Sequence, residues 1–317
     1  MASDAIPVLA AKLAGLKPKT KVPASAQVLS SWISMVERDI EGDTAGRLSW
    51  LVASTVATAV LQRAVSEDGQ SRFLLKGGTM LQHRLAVQTR ATKDVDGLVR
   101  GDIDSFIADL DAIFAEPWGV IGFRRSEVEI IDTPAKVIKP RRFQLLLTLR
   151  GVTWRRVQIE LSPDEGHAGE TGELFPAPVL AGFGLPQPEA LLGLAMRYQI
   201  AQKLHAASDP HDPPDYLNDR ARDIVDLLLL KALSEESGSP TLAGIRQAGL
   251  DIFEARAKEA RALGRSVRSW PPTMTAHEHW GDDYADAARS GGLATTLEDA
   301  VDVVNEWITQ IDQAVSE

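Results

Sequence analysis

Two carboxylates, Asp94 and Asp96, flank a single apolar residue, Val95, and a Gly77-Gly78-Thr79 turn precedes them. If residues 94–96 are a strand, its two-residue period puts both carboxylates on one face and Val95 on the other. Upstream, Phe73, Leu74, Leu75 and Lys76 read as a short buried strand that breaks at the glycines and restarts as a helix with Met80, Leu81 and Leu85 as its apolar positions. Glycines let backbone approach a ligand closely, and the N–H groups opening the next helix favour an anion such as phosphate. Thr79 can add a hydroxyl to that cradle. Two hard oxygen ligands on a rigid face beside a phosphate cradle suit Mg²⁺ (or Mn²⁺) carrying a nucleoside triphosphate.

Each piece alone is unspecific, since a Gly-Gly before a helix is commonly a turn and an Asp-x-Asp commonly a solvated strand end. The order is more telling. Strand, Gly-Gly, helix, then Asp-x-Asp is the arrangement of polymerase-beta-like nucleotidyltransferases. Leu75-Lys76-Gly77-Gly78-Thr79 followed by Arg90-Ala91-Thr92-Lys93-Asp94-Val95-Asp96 closely resembles the AbiEii/AbiGii-type nucleotidyltransferase toxins of bacterial toxin–antitoxin and abortive-infection systems.

Three later segments extend the resemblance. Gln158-Ile159-Glu160 is similar to the family's Gln-Ile-acid strand, which would make Glu160 a third metal-binding carboxylate; many relatives have Asp there, and the bare residue also reads as a solvated strand position. Ile200-Ala201-Gln202-Lys203-Leu204-His205-Ala206 resembles the Ala-Glu-Lys-Leu-x-Ala helix, with Gln202 in place of Glu and the lysine kept. Asn218-Asp219-Arg220-Ala221-Arg222-Asp223-Ile224-Val225-Asp226-Leu227 resembles the Asn-x-Arg-x-Lys/Arg-Asp-x-x-Asp-Leu signature. Asp223 and Asp226 share a helical face at that spacing, and Asp219 could instead simply cap the helix. The resemblance implies that Lys203 neutralises a triphosphate with Arg90 as a helper, that Asp223 orients Lys203 or the incoming hydroxyl, and that Asp226 assists in binding.

The elements needed to position these groups follow from periodicity. Val28, Leu29, Trp32, Ile33, Val36 and Ile40, then 48–61, recur at helical spacing and should pack behind the carboxylate strand. Glu37 and Arg38 read as solvent-facing helix charges. Residues 102–114 form another amphipathic helix, and 128–131, 142–149 and 155–161 read as strands of an antiparallel meander. Residues 162–187, rich in Gly, Pro and acids, read as a linker or long loop in which Asp164, Glu165 and His167 are solvated. From Pro188 the chain turns helical, with Leu191, Leu192, Ala195, Tyr198 and Lys203 near one stripe. Residues 297–315 form a helix opened by a capping box at Thr295 and Glu298. The loop of Asp209, His211, Asp212 and Asp215, and the cluster His277-Glu278-His279 with Asp282 and Asp283, lack metal-ligand spacing on a rigid element.

The fold expected is α+β: a nucleotidyltransferase-type mixed sheet flanked by helices in residues 1–180, and a C-terminal helical lobe in residues 181–317, with the active site between them.

Composition sets limits on the chemistry. With no cysteine, thiolate nucleophiles and cysteine-based zinc sites are excluded. A net charge of −10 argues against nonspecific coating of nucleic acid, although a local basic channel can coexist with it. No apolar run of membrane-spanning length and no leader pattern is evident, so no membrane association is expected and the cytoplasm is the expected location. The resemblance implies an RNA acceptor, in particular the tRNA 3′ end, and a cognate antitoxin protein. Transfer to a protein or small molecule, or a non-catalytic antitoxin-binding module of the same fold, stays open at this level.

Overall fold

The computed structural model describes residues 13, 15–38, 46–85, 92–214 and 216–315. The chain divides into two compact units, residues 1–133, 138–164 and 172–193 forming one, and residues 134–137, 165–171 and 194–317 the other.

The first unit is built on a mixed sheet. Its strands are β1 (Phe73–Lys76), β2 (Asp94–Val99), β3 (Ile121–Arg125), β4 (Glu129–Ile130), β5 (Arg141–Leu149), β6 (Val152–Pro163), β7 (Gly172–Pro176) and β8 (Ala190–Leu194). They run in the order β3-β5-β6-β2-β1-β8-β7, with β4 pairing on β5. The meander expectation holds for β4, β5 and β6, which pair antiparallel, while β3, not expected from the sequence, also pairs antiparallel with β5, β6 joins β2 in parallel and β1 joins β8 in parallel. Two sequence expectations need correcting here. Residues 190–194, expected to open a helix, form β8, because a run of Leu residues flanked by turns is equally compatible with a buried strand. Within 162–187, expected to be unstructured, lies β7. The boundary drawn at 180/181 therefore falls inside the first unit, ahead of the strand that completes this side of the sheet.

One face of the sheet is apolar. Val95, Ile159 and Phe143 lie side by side across β2, β6 and β5, and all three are buried, as are Leu145, Val157 and Phe123. The helices of this unit are α1 (Ala26–Arg38), α2 (Arg47–Leu61), α3 (Gly77–Leu85) and α4 (Ile103–Ala115). Helix α2 is apolar or small all round, and every described residue from Leu48 to Leu61 apart from Trp50 is buried, the pattern of a helix in the interior. Ser54 and Thr55 are tolerated there because each hydroxyl donates to the Leu51 carbonyl. Glu37, expected to face solvent, accepts from the Leu48 N–H at 3.1 Å and so satisfies a donor in the first turn of α2. Asp102 caps α4 by accepting from the Ser105 N–H at 2.7 Å.

The second unit is helical: α5 (Met196–Ala207), α6 (Ala221–Ser237), α7 (Leu242–Ala262), α8 (Gly281–Ser290) and α9 (Leu297–Gln313). The cap of α9 is Thr296, which accepts from the Asp299 N–H, one residue later than the capping box expected from sequence. Asp219 does not cap α6 either; the residue at that position is Arg220, without a side-chain cap. The two short excursions into this unit are pinned by charge. Glu165 meets Arg256 at 2.8 Å and Lys136 at 2.9 Å, while Lys136 also meets Glu259 at 3.0 Å. Glu165 is thus a half-buried ion-pair partner where solvation was expected, and His167 donates its backbone N–H to Asp251 at 2.7 Å. Among the described residues no helix is long and apolar enough to cross a membrane.

Candidate active site

The Gly-Gly turn and the carboxylate strand meet. β1 pairs antiparallel with β2, putting Lys76 opposite Asp96. The chain then turns at Gly77, whose φ of +67° is a conformation that glycine adopts without strain. A side chain is excluded there on a second ground. A Cβ on Gly77 would come within 2.2 Å of Asp96 Oδ2, so that carboxylate lies directly against the backbone at the turn. Gly97, which follows Asp96 on β2, serves packing: its bare Cα accepts the ring of Phe73, whose Cε2 would stand 2.0 Å from an added Cβ.

Asp94 and Asp96 are partly exposed while Val95 between them is fully buried, so both carboxylates lie on the sheet face opposite the apolar core. The parallel register with β6 sets Gln158 beside Asp94 and Glu160 beside Asp96 on the same face. Glu160 is nevertheless engaged elsewhere: its Oε1 lies 3.1 Å from Arg142 Nε and accepts from Gln158 Nε2 at 3.0 Å. Arg142 sits opposite Glu160 on β5, which explains the pairing. The contact is an ion pair without hydrogen-bond geometry, Arg142 Nε being a buried nitrogen that satisfies no acceptor. Glu160 thus stands beside Asp96 on the carboxylate face with an arginine partner, and its part as a third metal ligand is a proposal.

Thr79 also departs from expectation. Its side chain is fully buried and its hydroxyl donates to the Asp94 carbonyl at 2.5 Å. A phosphate needs donors, and the one hydroxyl hydrogen is already spent, so Thr79 ties α3 to β2 and leaves only its backbone N–H for a cradle. Arg90 lies outside the described residues.

In the helical unit, the two remaining signatures converge. Lys203 on α5 donates to Asp223 Oδ1 at 2.6 Å and to Asp226 Oδ2 at 2.7 Å, both on α6. All three are buried, Asp226 completely. Asp223 and Asp226 are one helical turn apart, which is how one ammonium reaches both. Two residues on, His205 accepts at Nδ1 from Arg256 and Arg268, at 2.9 and 2.7 Å. Burial, reinforced by the two guanidinium groups, pushes its pKa down to about 2, so it is neutral and acts as an acceptor.

The loops set aside as metal sites do approach one another. The His211 ring lies 4.3 Å from His279 and 4.8 Å from His277. Among the described residues, however, no three such side chains are arranged to hold a metal ion. Asp94 and Asp96 fit Mg²⁺ as a two-carboxylate donor set completed by substrate phosphate oxygens, which is a usual arrangement for this ion. Two residues at the site carry no assigned role from sequence, Lys76 and Arg142. The position of Lys76 directly before the glycines marked it; Arg142 becomes visible only through strand register.

A mixed sheet that sets a paired carboxylate strand against a Gly-Gly turn, in a chain that also carries a helical unit, is the architecture of a nucleotidyltransferase. Residues 59–306 match the family described as nucleotidyl transferase AbiEii toxin, type IV toxin–antitoxin system, and the chain belongs to that family. Its fold is similar to that of MenT4, a nucleotidyltransferase toxin from Mycobacterium tuberculosis, at a TM-score of 0.56 and 15% identity over 92% of this chain and 91% of that one. An antigenic nucleotidyltransferase-like protein from Paracoccidioides brasiliensis aligns at a TM-score of 0.33 and 13% identity, over 68% of this chain and 93% of that one. No curated protein matches the sequence.

Proposed function

We propose that this toxin transfers a nucleotide from an NTP to an RNA acceptor, the tRNA 3′ end, using Mg²⁺ or Mn²⁺ held by Asp94 and Asp96. The observation that carries the proposal is the seating of Asp96 Oδ2 against the Gly77 backbone, a carboxylate oxygen beside a turn suited to phosphate. The ion, when bound, supplies charge stabilisation for the leaving pyrophosphate and acidifies the attacking hydroxyl.

The chain's own groups do the rest. Backbone at Gly77, Gly78 and Thr79 receives phosphate oxygens without side-chain obstruction. The acceptor oxygen attacks the α-phosphorus, the bond from that phosphorus to the pyrophosphate oxygen breaks, and Asp94 takes the hydroxyl proton. Lys203, held by Asp223 and Asp226, is proposed on the family signature as the cation meeting the triphosphate, with Arg90 as its helper. Membership of a type IV system supports a cognate antitoxin as functional partner, and the cytoplasm is the proposed location.

The test is incubation with each α-³²P-labelled NTP and total cellular RNA, with and without EDTA. Label on RNA that needs divalent metal and is lost in Asp94→Ala supports the proposal. Metal-independent transfer, or label on protein alone, overturns the corresponding part.

A further inference from the structure

The carboxylate face of the sheet does not end at Asp94 and Asp96. Side chains that neighbour one another across paired strands point to the same face, so the register can be followed outward. Gln158 lies beside Asp94 on β6, and Gln144 lies beside Gln158 on β5. Arg142 neighbours Glu160, Arg156 neighbours Leu146, and Leu146 in turn neighbours Arg124 on β3. The opposite face at these strands is the buried core of Phe143, Leu145, Val157 and Phe123, which agrees with this assignment of faces.

The strip is polar near the carboxylates and basic beyond them. Gln144 Nε2 donates to Gln158 Oε1 at 3.2 Å, and Gln158 donates on to Glu160, fixing the orientation of both amides. Arg156 and Arg124 are exposed and make no ion pair among the described residues. Arginines that point to the other face are engaged: Arg125 is paired with Asp111 at 2.7 Å, Arg141 with Asp104 at 2.8 Å, and Arg155 donates to Ser49 Oγ at 3.0 Å. In a chain of net charge −10, two exposed arginines without acidic partners stand in line across Leu146 on the face that carries Asp94 and Asp96. Glu129, opposite Arg142 on β4, is the acidic group bordering the strip.

We infer that this strip is the track of the acceptor strand: with the terminal hydroxyl at Asp94 and Asp96, the chain crosses Gln158 and Gln144 and places its phosphates on Arg156 and Arg124. Neighbouring strands are about 4.8 Å apart, so the three steps from β2 to β3 span roughly 14 Å, enough for a few nucleotides of single-stranded 3′ end. Phosphates are met by arginine, and the amides are suited to base edges or the 2′-hydroxyl. The inference rests on the proposed RNA acceptor.

The test uses the full chain, a short 3′-fluorescent single-stranded RNA for binding, and unlabelled tRNA with labelled NTP for transfer. R124Q/R156Q should keep the wild-type melting temperature and NTP affinity. It should raise the KM for RNA by about tenfold, and lower the slope of log Kd against log salt by about 1.4, at roughly 0.7 for each phosphate that is no longer neutralised. Arg156→Lys should retain most of the affinity, since a phosphate accepts a point charge. If wild type labels RNA and the double variant matches it in KM and salt slope, the track is wrong and the RNA-acceptor reading stands. If wild type labels a protein and no RNA, the acceptor reading fails and the track falls with it.

Discussion

Asp96 Oδ2 stands where a side chain on Gly77 would be, 2.2 Å from the position of its Cβ. The turn and the carboxylate are therefore one unit, and neither can change without the other. Gly77→Ala is expected to force the carboxylate away and to strain a backbone held at φ +67°. The strain alone costs about 1–2 kcal/mol. Transfer should fall at least tenfold, beyond what the reduced stability explains at a temperature where the variant stays folded. Denaturant unfolding and a transfer assay on the same preparation check it, and full activity in Gly77→Ala would show that the contact is dispensable.

Thr79 offers a way to separate positioning from binding. Because its hydroxyl donates to the Asp94 carbonyl, Thr79→Val should cost about 1 kcal/mol of stability and lower the rate of transfer, with NTP affinity unchanged. Thr79→Ser should restore the rate. A loss of NTP affinity in calorimetry, with the rate preserved, would return the hydroxyl to the phosphate cradle.

Gly77 and Thr79 both show where sequence reading stopped. Val95 between two acids revealed the strand and its faces, since period-two alternation is a local property. The partner of each side chain is not local. That Thr79 turns inward, that Glu160 meets Arg142, and that Gln158 sits beside Asp94 all depend on which strands pair and in which register. Strand β8 escaped because Leu191 and Leu192 are apolar in either a strand or a helix, and its pairing with β1, Leu75 beside Gly193, and with β7 decides it. Glu165 read as solvated because Arg256, its partner, is 91 residues away.

Asp94→Ala should leave the fold intact, because the side chain is partly exposed and contributes nothing to the core. Transfer should drop by about a hundredfold or more, the scale on which loss of a charge-stabilising group acts. Expressed alone, wild type should arrest growth, a cognate antitoxin should relieve it, and Asp94→Ala at equal expression should be harmless. Equal toxicity of the two would place the harm in binding and not in catalysis.

His205 makes the helical unit acid-sensitive. Its pKa in the folded chain is lowered from the ordinary value of 6.5 to about 2, chiefly by burial and then by Arg256 and Arg268. Below pH 6.5 the unfolded chain binds a proton that the folded chain refuses, so stability is full above that pH and falls as the pH drops toward 2. Between pH 7.5 and 5 the loss from this residue is about 2 kcal/mol. His83, buried in the first unit with a pKa lowered to about 3, acts in the same direction. Urea unfolding at the two pH values, monitored in wild type and His205→Gln, should show a smaller pH dependence in the variant; an unchanged one would mean that His205 is protonated in the fold.

Lys203 is the residue at which folding and phosphate binding have to be separated. On a helix surface, Lys203→Met keeps the apolar stem and removes a charge, and melting would hardly change. The structure reverses that expectation, since the ammonium is buried between Asp223 and Asp226 at 2.6 and 2.7 Å. Removing it leaves two carboxylates with little water to solvate them, a change worth about 3–5 kcal/mol of destabilisation. Adding Asp226→Asn removes one of the stranded charges, so Lys203→Met/Asp226→Asn should be more stable than Lys203→Met itself. Guanidinium unfolding of both variants decides this, and a single variant as stable as wild type would mean that the triad is open to solvent. NTP affinity measured on the stabilised double variant then reports the phosphate role separately from folding: an order-of-magnitude loss supports it, and wild-type affinity leaves Lys203 with a purely structural part.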